Sequence, residues 1–365
     1  MRYFGLLVFM LLPLLGFTYT FWHVWQILPA PWWVRLLVIL LMLGAFASMF
    51  VGMRDSHTLS LNTQSWLYDI GTSFLIILLY LVMLFLALDV LRLVHLVPSG
   101  FMKHSWPGTL TVVGIMLVVF IYGNLHYHHK VRQPLELKTE KTLAKPLKIL
   151  MMSDLHLGYG NRRADFSKWV DMLNAEQADL ILIAGDIIDS STKPLLEEAS
   201  YEEFRRLNAF VVACLGNHEY FSGEPDAKAF YDKAGIRLLR DEVLEWGDLC
   251  IIGRDDRSNP RRKSLAELTS GIDRSKYSIV LDHQPYELEK TEALHIDFQL
   301  SGHTHHGQVW PISWITERVY ECAFGNYQRG DTRYYVSSGI GIWGGKFRIG
   351  TRSEYVVATL KGVGN

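Results

Sequence analysis

In Leu180-Ile-Leu-Ile-Ala-Gly-Asp-Ile-Ile-Asp189 a short unbroken apolar run ends in a glycine and a carboxylate. Bounded by a turn residue, it reads as a strand over Asp179 to Ala184 with Asp186 at its tip. The pattern recurs on either side. Ile149-Leu-Met-Met152 leads into Asp154-Leu-His156, and Phe210-Val-Val-Ala-Cys-Leu215 into Gly216-Asn217-His218-Glu219. Ile279-Val-Leu281 leads into Asp282-His283, and Phe298-Gln-Leu300 into Gly302-His303-Thr-His305. Arg163 to Glu176, Pro194 to Leu207 and Glu224 to Ala234 read as helices, and Leu249 to Gly253, Tyr334 to Val336 and Tyr355 to Leu360 as further strands. Such alternation predicts an α/β fold with helices layered on sheets. In open α/β sheets ligands gather beyond the carboxyl ends of strands, where these polar clusters fall.

The clusters are rich in metal-ligating side chains. Asp154 and His156 are expected to alternate across an extended backbone and point to one side; His303 and His305 do the same, with His306 facing away. Asp186 has two oxygens and can bridge two cations about 3.5–4 Å apart, a spacing that clamps one phosphate. Asn217 offers a neutral amide oxygen and His283 a strand-end imidazole. Counting donors gives Asp154, His156, Asp186 and His305 for one ion, and Asp186, Asn217, His283 and His303 for the other. Mixed oxygen and imidazole shells suit manganese, iron or zinc better than calcium, and the lack of cysteine ligands argues against a structural zinc. Imidazole as a group changes charge near neutral pH, so His218 can stabilise phosphoryl oxygens or protonate a departing alkoxide. Asp189 either holds a neighbouring side chain or caps a helix. Two cations would lower the pKa of a shared water and neutralise charge in the transition state, so no serine or cysteine nucleophile is required.

In this order the clusters resemble the signature of the calcineurin-like metallophosphoesterases: Asp-x-His, Gly-Asp-x-x-Asp, Gly-Asn-His-Glu, a lone His and Gly-His-x-His. The closing stretch Ser337-Ser-Gly-Ile-Gly-Ile-Trp-Gly-Gly-Lys-Phe-Arg-Ile-Gly350 resembles their membrane-associated bacterial branch. The resemblance implies a four-layer β sandwich flanked by helices, a metal-bridging hydroxide as nucleophile and direct in-line displacement at phosphorus. It places His218 at the family's catalytic histidine, with Asp189 as its companion. Residues 147–365 would form this catalytic domain.

The first half reads differently. Tyr3 to Trp22, Leu36 to Met53, Ile70 to Leu88 and Thr109 to Tyr122 are almost free of charge and near the roughly 20 residues that cross a bilayer. They predict a bundle of about four transmembrane helices in residues 1–125, followed by a polar linker at the membrane surface over 126–146. Four spans put both ends on one side; Lys130, Arg132, Lys138 and Lys141 after the last span favour a cell-membrane protein with a cytoplasmic catalytic domain.

The net charge of −1 over 365 residues, with no basic stripe, gives no footprint for nucleic acid. Cys214 and Cys250 lie in apolar runs and read as small buried hydrophobes. The expected function is hydrolysis of a phosphomono- or phosphodiester, on a small molecule or a lipid. The alternative is a membrane sensor or transporter whose metal domain binds without hydrolysing. Substrate-binding residues stay unassigned. Arg254, Arg257, Arg261, Arg262 and Lys263 either attract anionic headgroups or form a solvated loop, and Trp310, Trp314 and Trp343 either line an apolar groove or pack in the core.

Overall fold

The structure is a computed structural model that describes residues 2–54 and 58–362, with side chains from residue 14 onward. It divides into two compact units, Met1–Leu125 with Gly344–Lys346, and His126–Trp343 with Phe347–Asn365.

The first unit holds α1 (Arg2–Ile27), α2 (Trp32–Gly52), α3 (Leu61–Leu93) and α4 (Trp106–His128). Among the described residues α2, α3 and α4 are long and apolar enough to cross a membrane. The expected first span, Tyr3 to Trp22, falls on α1, whose side chains up to residue 13 lie outside the described residues. Helices packed in lipid rely on small residues for close approach. At Gly71 of α3 an added Cβ would overlap the backbone of Met49 in α2. One polar cluster of this unit is joined across helices: Asp89 accepts from the Tyr19 hydroxyl at 2.7 Å and lies 2.9 Å from His23 Nε2.

The second unit is built on two six-stranded sheets. Its strands are β1 (Lys130–Thr139), β2 (Leu147–Met152), β3 (Leu180–Ala184), β4 (Phe210–Cys214), β5 (Arg237–Leu238), β6 (Glu242–Trp246), β7 (Leu249–Gly253), β8 (Tyr277–Leu281), β9 (Phe298–Ser301), β10 (Gly325–Arg329), β11 (Thr332–Val336) and β12 (Ser353–Gly362). One sheet has the order β1-β12-β2-β3-β4-β5, the other β10-β11-β9-β8-β7-β6. β2, β3 and β4 run parallel, as do β7, β8 and β9.

Strand alternation makes the layers. Ile149, Met151, Leu180 and Leu182 face Ile251, Ile279, Leu281 and Phe298 of the other sheet in one buried core. Their neighbours Leu150, Met152, Ile181 and Ile183 pack outward on Phe166, Trp169, Val170 and Phe230. Cys250, Ile252 and Val280 do the same on the far side, against Leu265 and Leu268. Helices, sheet, sheet and helices thus form four layers, as the resemblance implied. Cys214, Cys250 and Cys322 are free and buried.

Two local readings need correction. Residues 126–146 are not simply a linker, because Lys130–Thr139 is the edge strand β1, paired in parallel with β12 from Lys130↔Ser353 to Thr139↔Gly362. Leu135 and Leu137 are buried while Gln133, Glu136 and Lys138 face outward or lie at the edge, so the charged alternation is that of a strand with one wet face. The helix expected over Pro194 to Leu207 breaks into Lys193–Glu197 and Tyr201–Arg205, with Ala199 left-handed at φ 54° between them.

Candidate metal centre

Each expected site residue stands just past a parallel strand: Asp154 and His156 after β2, Asp186 and Asp189 after β3, Asn217 and His218 at the start of the short helix Asn217–Phe221 after β4, His283 after β8, His303 and His305 after β9, with His305 opening the 3-10 turn His305–Gly307. Backbone bonds knit the loops together. Asp154 N–H reaches Gly185 O at 3.1 Å, His156 N–H reaches Asp186 O at 3.0 Å, and Gly302 N–H reaches His283 O at 2.8 Å. Gly185 is left-handed at φ 76°, and a Cβ there would come within 2.9 Å of the His283 ring, so only glycine lets the two sheets' loops close on each other.

Asp154 and His156 do share a side, though not by extended alternation. Their φ values are 54° and 46°; Asp186 at 52°, His303 at 69° and His305 at 49° are left-handed too. β2 has already ended at Met152, and tight left-handed turns, which Asp and His enter more readily than most residues, aim these side chains inward. His306 turns away as expected, stacking on Phe324 and meeting Glu317 at 2.8 Å.

Asp186 occupies the middle. Its Oδ1 accepts the backbone N–H of His218 at 2.9 Å, and its Oδ2 lies 3.1 Å from His283 Nε2 and 3.7 Å from His156 Nε2. On one side the Nε2 atoms of His156 and His305 face each other at 3.0 Å, with Asp154 Oδ1 3.8 and 3.4 Å from them. On the other, His283 and His303 gather beside Asp186, and His303 Nδ1 is 2.8 Å from Asn217 Oδ1. Donor atoms of Asp154, His156 and His305, and of Asp186, His283 and His303, fall within 4.8 Å of one another in each trio.

These contacts test the fit to metal. His283 donates from Nδ1 to the Ala184 carbonyl at 2.7 Å, which leaves Nε2 buried and aimed at Asp186. Ligating histidines are typically held this way through their other nitrogen. Two imidazoles pointing lone pairs at each other need a proton or a cation between them. Two such sets flanking one carboxylate fit a pair of divalent ions. A third trio, His156, Asp189 and His218, differs in kind: Asp189 Oδ1 faces His218 Nδ1 at 3.0 Å and His156 Nδ1 at 3.7 Å, the place of a carboxylate that orients imidazoles. Asp189 therefore holds neighbouring side chains and caps no helix.

Residues 147–307 match the family model for calcineurin-like phosphoesterases. A protein of Campylobacter jejuni, described as an uncharacterized metallophosphoesterase, is 32% identical over 260 residues, 68% of each chain. Another from Aquifex aeolicus is 30% identical over 262 residues, 69% of this chain and 99% of its own. The chain belongs to the calcineurin-like metallophosphoesterases. A Danio rerio relative described as a transmembrane protein with metallophosphoesterase domain is 27% identical over 360 residues, 90% of this chain and 80% of the other.

The electrostatics of this metallophosphoesterase centre follow from burial opposed by neighbours. Burial opposes charge on His156, but the Asp154 and Asp189 carboxylates and the Asp186 charge prevail and push its pKa up to about 10. Burial is likewise overcome at His283, raised by Asp186. His305 drops to about 3 through burial and the positive His156 and Arg348, despite Asp154. His303 drops to about 4 through burial and His283. Burial would raise Asp154, Asp186 and Asp189, yet the histidines around them hold all three below the usual carboxylate range.

Sequence reasoning missed the residues that brace this centre. Glu219 is fully buried; it accepts from Gly216 N–H at 2.7 Å, Asp186 N–H at 3.1 Å, Ile188 N–H at 3.0 Å and the Tyr231 hydroxyl at 2.9 Å. Burial and the nearby Asp186 raise its pKa. Its spacing from Gly216 is that of a capping box, a signal the sequence did offer. Asn161 Nδ2 sits 3.1 Å from the carbonyls of Leu155, His156 and Ile342. Arg348, fully buried, donates to the carbonyls of His305 at 2.7 Å and Gly341 at 3.2 Å. Asp282, left without a role by the sequence, pairs with Arg254 and Arg262. Of the tryptophans, Trp310 and Trp314 stand partly exposed with their rings 5.3 Å apart, and are not core residues.

Proposed function

We propose that this metallophosphoesterase is membrane-anchored and hydrolyses a phosphomono- or phosphodiester by direct attack of water, with a lipid or nucleotide-linked lipid as its substrate class. The observation that carries the hydrolytic reading is Asp186 placed between two convergent donor sets, with His156 and His305 on one side and His283 and His303 on the other. Asp154, His156, Asp186 and His305 would hold one divalent ion, and Asp186, Asn217, His283 and His303 the second; manganese, iron and zinc suit these donors. Bound there, the ions supply Lewis acidity toward water and the phosphoryl oxygens.

The rest falls to the chain. Asp189 holds His218 through Nδ1, fixing the ring so that its other nitrogen can deliver a proton to the departing oxygen. Glu219 keeps the loops of Asp186 and His218 in register. The free cysteines are buried, so none stands ready as a nucleophile. Three span-grade helices in the same chain support a substrate drawn from a bilayer, and the basic residues after α4 favour the cytoplasmic side of a cell membrane.

The test is hydrolysis of p-nitrophenyl mono- and diesters by the full chain in detergent with manganese, iron or zinc. Asp186→Asn should keep the fold, read by circular dichroism, and lose more than the about 100-fold typical of losing a mere outer-shell partner. Equal turnover by the variant, or turnover indifferent to chelation, would refute the reading.

A further inference from the structure

The structure sorts the five basic residues that follow β7. Arg254 and Arg262 are largely buried and share Asp282, at 2.7 and 3.1 Å. Lys263 lies over the Asp241 carbonyl. Arg261 is exposed too, and its backbone N–H donates to Asn259 Oδ1 at 3.0 Å. Arg257 is set apart by the ring beneath it. It is exposed, its guanidinium 4.5 Å from the centroid of the Tyr286 ring. Its nearest carboxylate, Glu287, is 3.9 Å away and about equally open to solvent, so the pair holds that charge only weakly.

Arg257 also has a fixed relation to the metal centre. The loop that carries it is tied beside His283, because Gln284 Nε2 donates to both carboxylate oxygens of Asp256 at 3.1 and 2.9 Å. Arg254 N–H reaches Leu281 O at 3.0 Å. The ring of His303 is 6.4 Å from that of Tyr320, Tyr320 is 5.0 Å from Tyr286 with their hydroxyls 3.1 Å apart, and Arg257 caps the row. A braced guanidinium thus stands two rings away from a candidate ligand, on the rim of the half formed by His283 and His303.

We propose that Arg257, seated on Tyr286, is a specificity-determining anion site that selects phosphoesters carrying a second phosphate beside the scissile one. This rests on the hydrolytic reading of the centre. The two ions would neutralise the scissile phosphoryl group, so Arg257 is left for a different charge. Its planar fork matches phosphate in two-point contact, and the Tyr286 face holds the fork by cation–π attraction. A phosphorylated lipid headgroup and a soluble nucleotide both present this chemistry.

Binding tests the site without turnover. Titration calorimetry of the manganese-loaded full chain in detergent would compare propylphosphonate with propane-1,3-diphosphonate, neither of which can be hydrolysed. The second phosphonate should tighten binding at least about tenfold, the scale of a charge-assisted pair. Arg257→Gln should erase that gain and leave propylphosphonate binding unchanged; Arg257→Lys should keep part of it. Two kinetic pairs distinguish the sources: phosphatidylinositol against its 4-phosphate in mixed micelles, and thymidine 5′-(p-nitrophenyl phosphate) against its 3′-phosphorylated form. The preferred pair should show the second phosphate acting on KM with kcat unchanged. No preference for the diphosphonate, or a preference that survives in Arg257→Gln, overturns the proposal. Failure of every ester to be hydrolysed while the Arg257-dependent binding remains would instead overturn the hydrolytic reading and leave the anion site standing.

Discussion

Loading the centre with metal should expel two protons. With no cation bound, His156 has its pKa pushed up to about 10 and His283 is also raised, while His303 at about 4 and His305 at about 3 are already neutral near pH 7. Asp154, Asp186 and Asp189 are ionised there and release nothing. Only His156 and His283 must therefore lose a proton before their nitrogens can ligate. His156 alone should raise the affinity about tenfold for each pH unit between about 7 and 8.5, roughly 1.4 kcal/mol, and the raised His283 adds to this in the same direction. Stability without metal runs the opposite way. Both histidines have folded pKa values above the unfolded value of about 6.5, so their contribution is fully present below that pH; the His156 share is lost as pH climbs toward 10, and the His283 share falls in the same direction. Calorimetric titration with manganese in buffers of different ionisation enthalpy measures the released protons directly. A count near zero, or affinity flat between pH 7 and 8.5, would refute the placement of these two imidazoles as ligands.

Two further outcomes follow from the bracing residues and the acid. Glu219→Gln should turn its amide group toward the Tyr231 hydroxyl, which can accept, and leave Ile188 N–H unpaired. One unpaired buried donor costs about 1–3 kcal/mol, so thermal unfolding of the full chain in detergent should fall by about 2–12 °C; an unchanged midpoint would count against the clamp. His218→Gln should slow hydrolysis of alkyl phosphoesters by about 10²–10⁴ and that of p-nitrophenyl esters far less, because nitrophenolate leaves without a proton. Equal losses on both esters would move His218 from the departing oxygen to the phosphoryl group.

The layers of the fold were legible because buried parallel strands write themselves as unbroken apolar runs, and Leu180 to Ala184 or Ile149 to Met152 could hardly be anything else. β1 was not, because an edge strand with one wet face alternates charges as a linker does, and its partner β12 lies more than two hundred residues away. The inward-facing residues were legible as types: Asp154, Asp186, His283 and His303 announce a metal. Their conformation was not, since left-handed turns leave no mark in composition. Glu219, Asn161 and Arg348 escaped notice for a related reason: their partners are backbone groups, and a backbone group has no letter in the sequence. The basic loop shows the same limit, as only the positions of Asp282 and Tyr286 separate Arg254 from Arg257.

The left-handed backbone at Asp154, His156, Asp186, His303 and His305 also constrains what evolution or an engineer can do with this centre. These five candidate ligand positions tolerate few residues besides those they carry, whatever the replacement could offer an ion, since a branched side chain would meet a steric toll of about 1–2 kcal/mol at each. Retuning the metal preference would therefore start more easily one layer out, at Asp189 or at the groups that hold the turns, than at the candidate ligands themselves.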